Sequence, residues 1–259
     1  MSPSRCALSE RHMEPEQYAV MARRESRHWW YAGMRRVALA VLEHALEGHS
    51  DLAILDAGCG TGGTTRELSR FGHVVGIDQA WEALRPAHEY VPALARASVE
   101  DLPFGPSSFD VVTSFEVIYH LGVGSDVQAL AELRRVLRHG GLLLLRVPAH
   151  DWLRGEHDRL VHTRHRYTRA EVVDKLTAAG FAVQQASWAN TALFPPAVAK
   201  RLLERRNGHA SASGEPDLWQ PPEPLNALLE SAVAIEALAI PKHVPLPFGL
   251  SVLALARAV

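Results

Sequence analysis

Ile54-Leu55-Asp56-Ala57-Gly58-Cys59-Gly60-Thr61-Gly62-Gly63 is the stretch that decides how this chain folds. The apolar run over 52–55 reads as a buried strand that closes on Asp56 and breaks into a glycine-rich turn. Residues 61–71 read as the helix that follows, with Leu68 and Phe71 facing inward. Strand, glycine turn and helix together make a nucleotide-binding device. Glycines let the backbone turn sharply and let a ligand lie against the main chain. The helix start offers N–H groups with no partner inside the helix.

Gly58-x-Gly60-x-x-Gly63 also satisfies the dinucleotide fingerprint, with an acidic residue, Asp78, about 20 residues on. Asp56 separates the readings. A carboxylate at the mouth of the loop repels a pyrophosphate and suits a cationic ligand. S-adenosylmethionine (SAM) has no phosphate and carries a sulfonium and an ammonium group. Asp56-x-Gly58-x-Gly60-x-Gly62, with Cys59 inside the loop, therefore fits SAM better than NAD. On these residues the chain resembles the class I SAM-dependent methyltransferases, in particular their small-molecule, ubiquinone-biosynthesis-like branch. A purely structural glycine turn is the plainer alternative, and the segments that follow disfavour it.

The 259 residues allow one large domain, or one domain with an insertion. With 47% hydrophobic and 22% charged residues and a formal net charge of −2, nothing in the composition calls for nucleic acid or a membrane surface. Cys6 and Cys59 lie in a tail and in the glycine loop, so a disulfide is not expected and a cytoplasmic location is. No apolar run approaches the roughly 20 residues of a membrane-spanning helix, and the N-terminus lacks the apolar core of a signal peptide.

Upstream, residues 14–47 read as two helices, with Met13, Tyr18, Met21 and Trp29 and the apolar positions from Val37 to Leu46 at helical spacing. His28-Trp29-Trp30-Tyr31 lies between them. Such a cluster ordinarily packs in a core. The resemblance implies instead a lid over the cofactor, with Trp29 on it.

Downstream, 73–77 is the second strand, ended by Asp78. Strand ends in an alternating strand–helix fold line one crevice, so Asp56 and Asp78 arrive at the same edge. Asp78 there can accept from both ribose hydroxyls, which also assigns the adjoining Gln79 to the cofactor; the alternative is a cap for the helix starting at Gln79 or Ala80. A short strand over 92–97 leads into Ser98-Val99-Glu100-Asp101-Leu102-Pro103-Phe104. The family carries a similar loop around the adenine. The resemblance implies the exocyclic amine on Ser98, where many relatives have Asp, and a ring nitrogen on the N–H of Val99. Glu100 or Asp101 would compensate for the neutral serine.

The fourth strand is 108–115. After it the resemblance implies that Ser114, Phe115 and Glu116 touch the cofactor and that His120 faces the substrate. Residues 126–138 form an amphipathic helix with Val127, Leu130, Leu133, Val136 and Leu137 on one face; His139-Gly140-Gly141 is a turn and 142–147 the fifth strand. The histidines of 149–168 (His150, His157, His162 and His165) follow no compact ligand pattern, so no metal is assigned. His165-Arg166-Tyr167-Thr168 resembles a family motif with two arginines before the tyrosine, one of them replaced here by His165. Thr168 starts a helix closed by Gly180, 181–189 is the sixth strand, and 248–257 the seventh.

The expected fold is a Rossmann-like α/β domain. Its seven-stranded, mostly parallel sheet has an antiparallel last strand beside the fifth and helices on both faces. Residues 1–48 form a helical cap, 49–189 the SAM-binding core, 190–247 a helical insertion and 248–259 the final strand. The insertion serves as a substrate lid, a homodimer contact or decoration. The expected reaction moves a methyl group from SAM to an O, N or C nucleophile of a small metabolite, secondary metabolism being one setting. A hydroxyl or protonated amine must lose a proton, so His120, then His165 and Tyr167, are candidate bases; His120 reads equally well as a helix cap. Trp30, Tyr31, Trp152, Phe194 and Trp219 near the mouth suit a hydrophobic or planar acceptor, or the core. The expected partner is thus a small acceptor, neither nucleic acid nor membrane. An NAD-linked reductase and a SAM-binding protein without methyl transfer are the alternatives.

Overall fold

The computed structural model describes residues 15–25, 27–155, 158–159, 161–207 and 221–259. Met13, His157 and Trp219 lie outside the described residues. The strands are β1 (Leu52–Ala57), β2 (Gly72–Asp78), β3 (Leu94–Arg96), β4 (Phe109–Phe115), β5 (Leu137–Pro148), β6 (Phe181–Ala189) and β7 (Ser251–Ala258). They form one sheet in the order β3-β2-β1-β4-β5-β7-β6. The first five pair in parallel, and β7 runs antiparallel between β5 and β6. The Rossmann-like expectation holds, including the reversed last strand beside the fifth.

The helices are α1 (Pro15–Arg24), α2 (Trp29–Leu46), α3 (Gly63–Leu68), α4 (Trp81–Ala87), α5 (Asp126–Val136), α6 (Arg169–Ala178), α7 (Phe194–Asn207), α8 (Glu223–Ala234) and the single turn α9 (Glu236–Ala239). Residues 142–148 of β5 and the first six of β7 are buried, as a strand covered on both faces requires. On one face Leu130, Leu133 and Val136 of α5 and Val172 and Leu176 of α6 complete the core. On the other, Met34, Val37 and Leu42 of α2 pack with Leu68 and with Val233 of α8.

Three local expectations change. Val127, expected on the buried face of α5, is 60% exposed; it sits in the first turn, ahead of the buried stripe Ala129, Leu130, Leu133 and Val136. His139-Gly140-Gly141 is not a separate turn. Strand β5 starts directly at Leu137, and the left-handed Gly140 (φ 79°) sits in the stretch where pairing with β4 shifts register. The aromatic cluster lies inside α2, because the His28 side chain caps that helix by accepting from Trp30 N at 3.3 Å. The insertion also holds a stretch, Glu223–Lys242, long and apolar enough by length and composition to cross a membrane. It is broken into α8, α9 and a 3₁₀ turn, and buries Asn226, Val233, Glu236 and Ile240.

Strand order reverses at β1, where β2 lies on one side and β4 on the other. The C-terminal ends of these strands flank a crevice, the usual ligand position in such sheets.

Candidate active site

The glycine loop is stitched to the second strand. Gly58 N and Cys59 N both donate to Ile77 O at 2.8 Å, and Gly60 N donates to Asp78 Oδ2 at 3.1 Å. Gly58 takes φ 87°, and a side chain there would strike Val117, so glycine is needed twice over.

Asp56 is buried, and both its oxygens are engaged: Thr113 Oγ1 donates to Oδ1 at 2.8 Å and Thr65 Oγ1 to Oδ2 at 2.7 Å. Burial pushes its carboxyl up to about 6, against the pull of the two threonines. It therefore also holds the loop in place, a role its position at the loop mouth did not suggest. Asp78 accepts from Gly60 N and, at 2.9 Å, from Ala80 N. This carboxylate ties the loop to Ala80, the N-cap of α4; the helix starts at Trp81, so Asp78 is not itself its cap.

A cavity of about 850 Å³ opens from this loop. Of the sites assigned to the cofactor, Trp29, Asp56, Gly58, Cys59, Gly60, Asp78, Gln79, Val99, Phe115 and Glu116 line it. Burial pushes the Cys59 thiol up, which keeps it neutral. Three assigned residues do not line it. Ser98 Oγ accepts from Gln79 Nε2 at 2.7 Å and from Glu100 N at 3.1 Å, so it orders the loop. The Glu100 carboxylate accepts from Gly124 N and Ser125 N at 2.9 and 2.7 Å and anchors the start of α5. Ser114 is fully buried inside β4, its hydroxyl without a hydrogen-bond partner among the described residues.

His120 lines the cavity, stacked on Tyr119 with ring centroids 4.3 Å apart. Its Nε2 lies 3.0 Å from Glu116 O. A carbonyl only accepts, so Nε2 carries the proton and Nδ1 is the nitrogen able to act as a base. His165 and Tyr167 are not brought to the cavity. His165 Nε2 contacts the Glu171 carboxylate at 2.9 Å; Tyr167 is 1% exposed and donates to Asp126 Oδ2 at 2.8 Å. Both brace the segment after β5. Trp30 and Tyr31 line the cavity, whereas Trp152 and Phe194 do not. Among the described residues, no group of three or more His, Cys, Asp or Glu is placed to hold a metal ion.

The sequence reading missed Glu25. It follows α1, lines the cavity and accepts from the Thr61 hydroxyl and the Gly63 N–H. Burial raises its carboxyl. Glu25, Asp56 and Asp78 thus concentrate negative charge at the loop end, which fits a ligand bearing a sulfonium and an ammonium. No motif marks Glu25; only the return of α1 across the loop places it. The opposite wall, from β5, the segment after it and α7, carries Arg146, Arg166, Lys200 and Arg201.

Residues 55–145 match the model of a family described as a methyltransferase domain. The chain is 33% identical over 159 residues to the malonyl-[acyl-carrier protein] O-methyltransferase of Herminiimonas arsenicoxydans, covering 58% of this chain and 60% of that one. It is 30% identical over 163 residues to a "Probable S-adenosylmethionine-dependent methyltransferase" of Mycolicibacterium smegmatis, covering 61% of each. Among solved structures, the Haloferax volcanii protein in complex with the Trm112 methyltransferase activator aligns with a TM-score of 0.59 at 21% identity, over 94% of each chain. At that identity the likeness shows the fold. The chain spans about half the length of the curated relatives it matches, 42% and 60% of two of them. Sequence, sheet order and loop agree: residues 55–145 match a methyltransferase domain, and the fold is the one seen in solved SAM-dependent methyltransferases.

Proposed function

We propose that the chain transfers a methyl group from SAM to a small-molecule acceptor bound between the end of β5 and helices α2, α7 and α8. The carrying observation is that one cavity joins the acidic glycine-loop end to an apolar chamber lined by Trp29, Trp30, Leu193, Leu225 and Leu229. SAM supplies the activated methyl on its sulfonium. The protein's part is to hold an acceptor atom in line with it and to keep water out. The Herminiimonas relative, named as an O-methyltransferase of an acyl-carrier-bound malonyl group, supports an acceptor larger than a free amine or alcohol.

The division into cap, core, insertion and final strand belongs to this proposal. Cap and insertion act as one lid. Asn226 on α8 accepts from Trp29 N at 3.0 Å and donates to Arg27 O at 2.9 Å. Arg36 pairs with Glu230 at 2.8 Å, and Gly33 lets Val233 pack directly on the α2 backbone. His120 Nδ1 is the base when the acceptor must lose a proton. Asp78 takes the ribose, Val99 N–H the adenine, and Phe115 and Glu116 lie beside the reacting end.

The test is incubation with methyl-labelled SAM and a panel of small acids, phenols and amines. Labelled acceptor with matching S-adenosylhomocysteine is the expected result. Tight SAM binding with no transfer to any acceptor would instead favour the SAM-binding reading without catalysis.

A further inference from the structure

The acceptor wall holds a guanidinium whose outer donors have no partner among the described residues. Arg146 lies near the end of β5, opposite Phe115 of β4, and its side chain is 8% exposed. Its Nε donates to Glu116 Oε1 at 2.9 Å. Its guanidinium carbon sits 5.4 Å from the Trp30 ring centroid and 5.0 Å from that of Phe115. The two rings and the carboxylate hold the plane. Among the described residues nothing accepts from Nη1 or Nη2, although the residue lines the cavity. The neighbouring cations are differently committed. Arg166 spends Nε on Asp158 and Nη1 on Ala149 O, and Arg201 donates to Leu153 O and Glu204.

A buried charged donor left without an acceptor is costly, and an oriented guanidinium edge matches the two oxygens of a carboxylate. The same cavity has an apolar lining from Leu193, just before α7, Ala197 of α7, and Leu225 and Leu229 of α8. The sheet order separates this point from the acidic end, since β4 lies between β1 and β5.

We propose that the acceptor is a carboxylate-bearing amphiphile, with its carboxylate held by the outer edge of Arg146 and its apolar body against α7 and α8. The acidic end receives the cationic cofactor and the Arg146 end the anionic acceptor, so the two ligands sort by charge. This rests on the reading of the cavity as cofactor site plus acceptor chamber.

The experiment is calorimetry on the full chain saturated with S-adenosylhomocysteine. The probes are acetate, hexanoate and decanoate, each paired with its primary amide, and decyl phosphate. The expected result is that the longer carboxylates bind about ten-fold or more tighter than their amides, a difference of about 1.4 kcal/mol. Arg146→Gln should bring each pair within about two-fold while leaving S-adenosylhomocysteine affinity within about two-fold. Arg146→Lys keeps a positive charge beside Glu116, so it gives the reading if the glutamine variant does not fold; it too should lose most of the preference, because one amine cannot serve both Glu116 and a ligand. Equal binding of acid and amide to the wild type, or a preference that survives both substitutions, overturns the proposal. A ten-fold loss of S-adenosylhomocysteine affinity in the variants also overturns it and reassigns the guanidinium to the cofactor's own carboxylate. Tighter binding of decyl phosphate than of decanoate overturns the carboxylate in favour of a phosphate. If the wild type does not bind S-adenosylhomocysteine, the cofactor reading fails, and the same acid–amide comparison on the unliganded chain still decides Arg146.

Discussion

Thr113 Oγ1 donates to Asp56 Oδ1 at 2.8 Å, tying the carboxylate near the end of β1 to the neighbouring strand β4. Thr65 on α3 holds the other oxygen, so one buried acid fixes the loop from both sides.

That burial has a pH signature. The Asp56 carboxyl is pushed up to about 6, so the folded chain holds this proton more tightly than the unfolded one. The corresponding stability is fully present below the ordinary carboxylate range and is lost as pH rises to about 6. The loss is roughly 3 kcal/mol for a shift of this size. Asp56→Asn should flatten the unfolding free energy between pH 4 and about 6 in chemical denaturation. SAM binding should tighten as pH rises through the same window in the wild type, because ionised Asp56 favours the cation, and should do so less in the variant. A wild-type SAM affinity independent of pH would contradict this.

Asp78 binds two backbone N–H groups as well as facing the cavity. Asp78→Ala should therefore weaken SAM about ten-fold or more and also cost roughly 1–2 kcal/mol of stability, since Gly60 and Ala80 lose their acceptor. Asp78→Asn retains an acceptor oxygen and should restore most of the stability. Calorimetry and thermal melts separate the two effects; undiminished SAM affinity in both variants would remove Asp78 from the ribose site.

His120→Ala should lower kcat for a hydroxyl or amine acceptor by roughly 100-fold, with SAM affinity nearly unchanged. Tyr167→Phe should do the reverse, costing about 1 kcal/mol of stability through the lost bond to Asp126 and sparing kcat. Single-turnover kinetics decide between them. Wild-type turnover by the His120 variant across pH would leave that ring a stacking partner of Tyr119.

The sheet was readable because β5 and β7 are apolar runs too short for helices, and the glycine loop because three of its glycines, Gly58, Gly60 and Gly62, take positive φ. Side-chain roles were less readable. Ser98 and Glu100 stand where the family resemblance puts adenine contacts, yet their oxygens go to Gln79, Gly124 and Ser125. The proton chemistry of histidine pointed to His165 as a candidate base, but Glu171 four residues beyond Tyr167 captures it. Glu25 and Arg146 carry no motif. Their importance comes from contacts across the fold, to Thr61 and to Glu116, which spacing along the chain does not encode.

Asn226 joins segments almost 200 residues apart, with |i−j| of 197 to Trp29 and 199 to Arg27. Asn226→Ala should cost roughly 1–3 kcal/mol through the two unpaired backbone groups. It should also raise the acceptor KM more than the SAM dissociation constant, because α8 lines the acceptor chamber. Equal effects on both would argue against the lid.

The most direct test of the central claim is titration of the purified chain with SAM and with NADH in one calorimeter. Micromolar SAM binding with no heat from NADH is the predicted result. NADH binding at the loop, with SAM inert, would contradict the cofactor assignment and everything built on it.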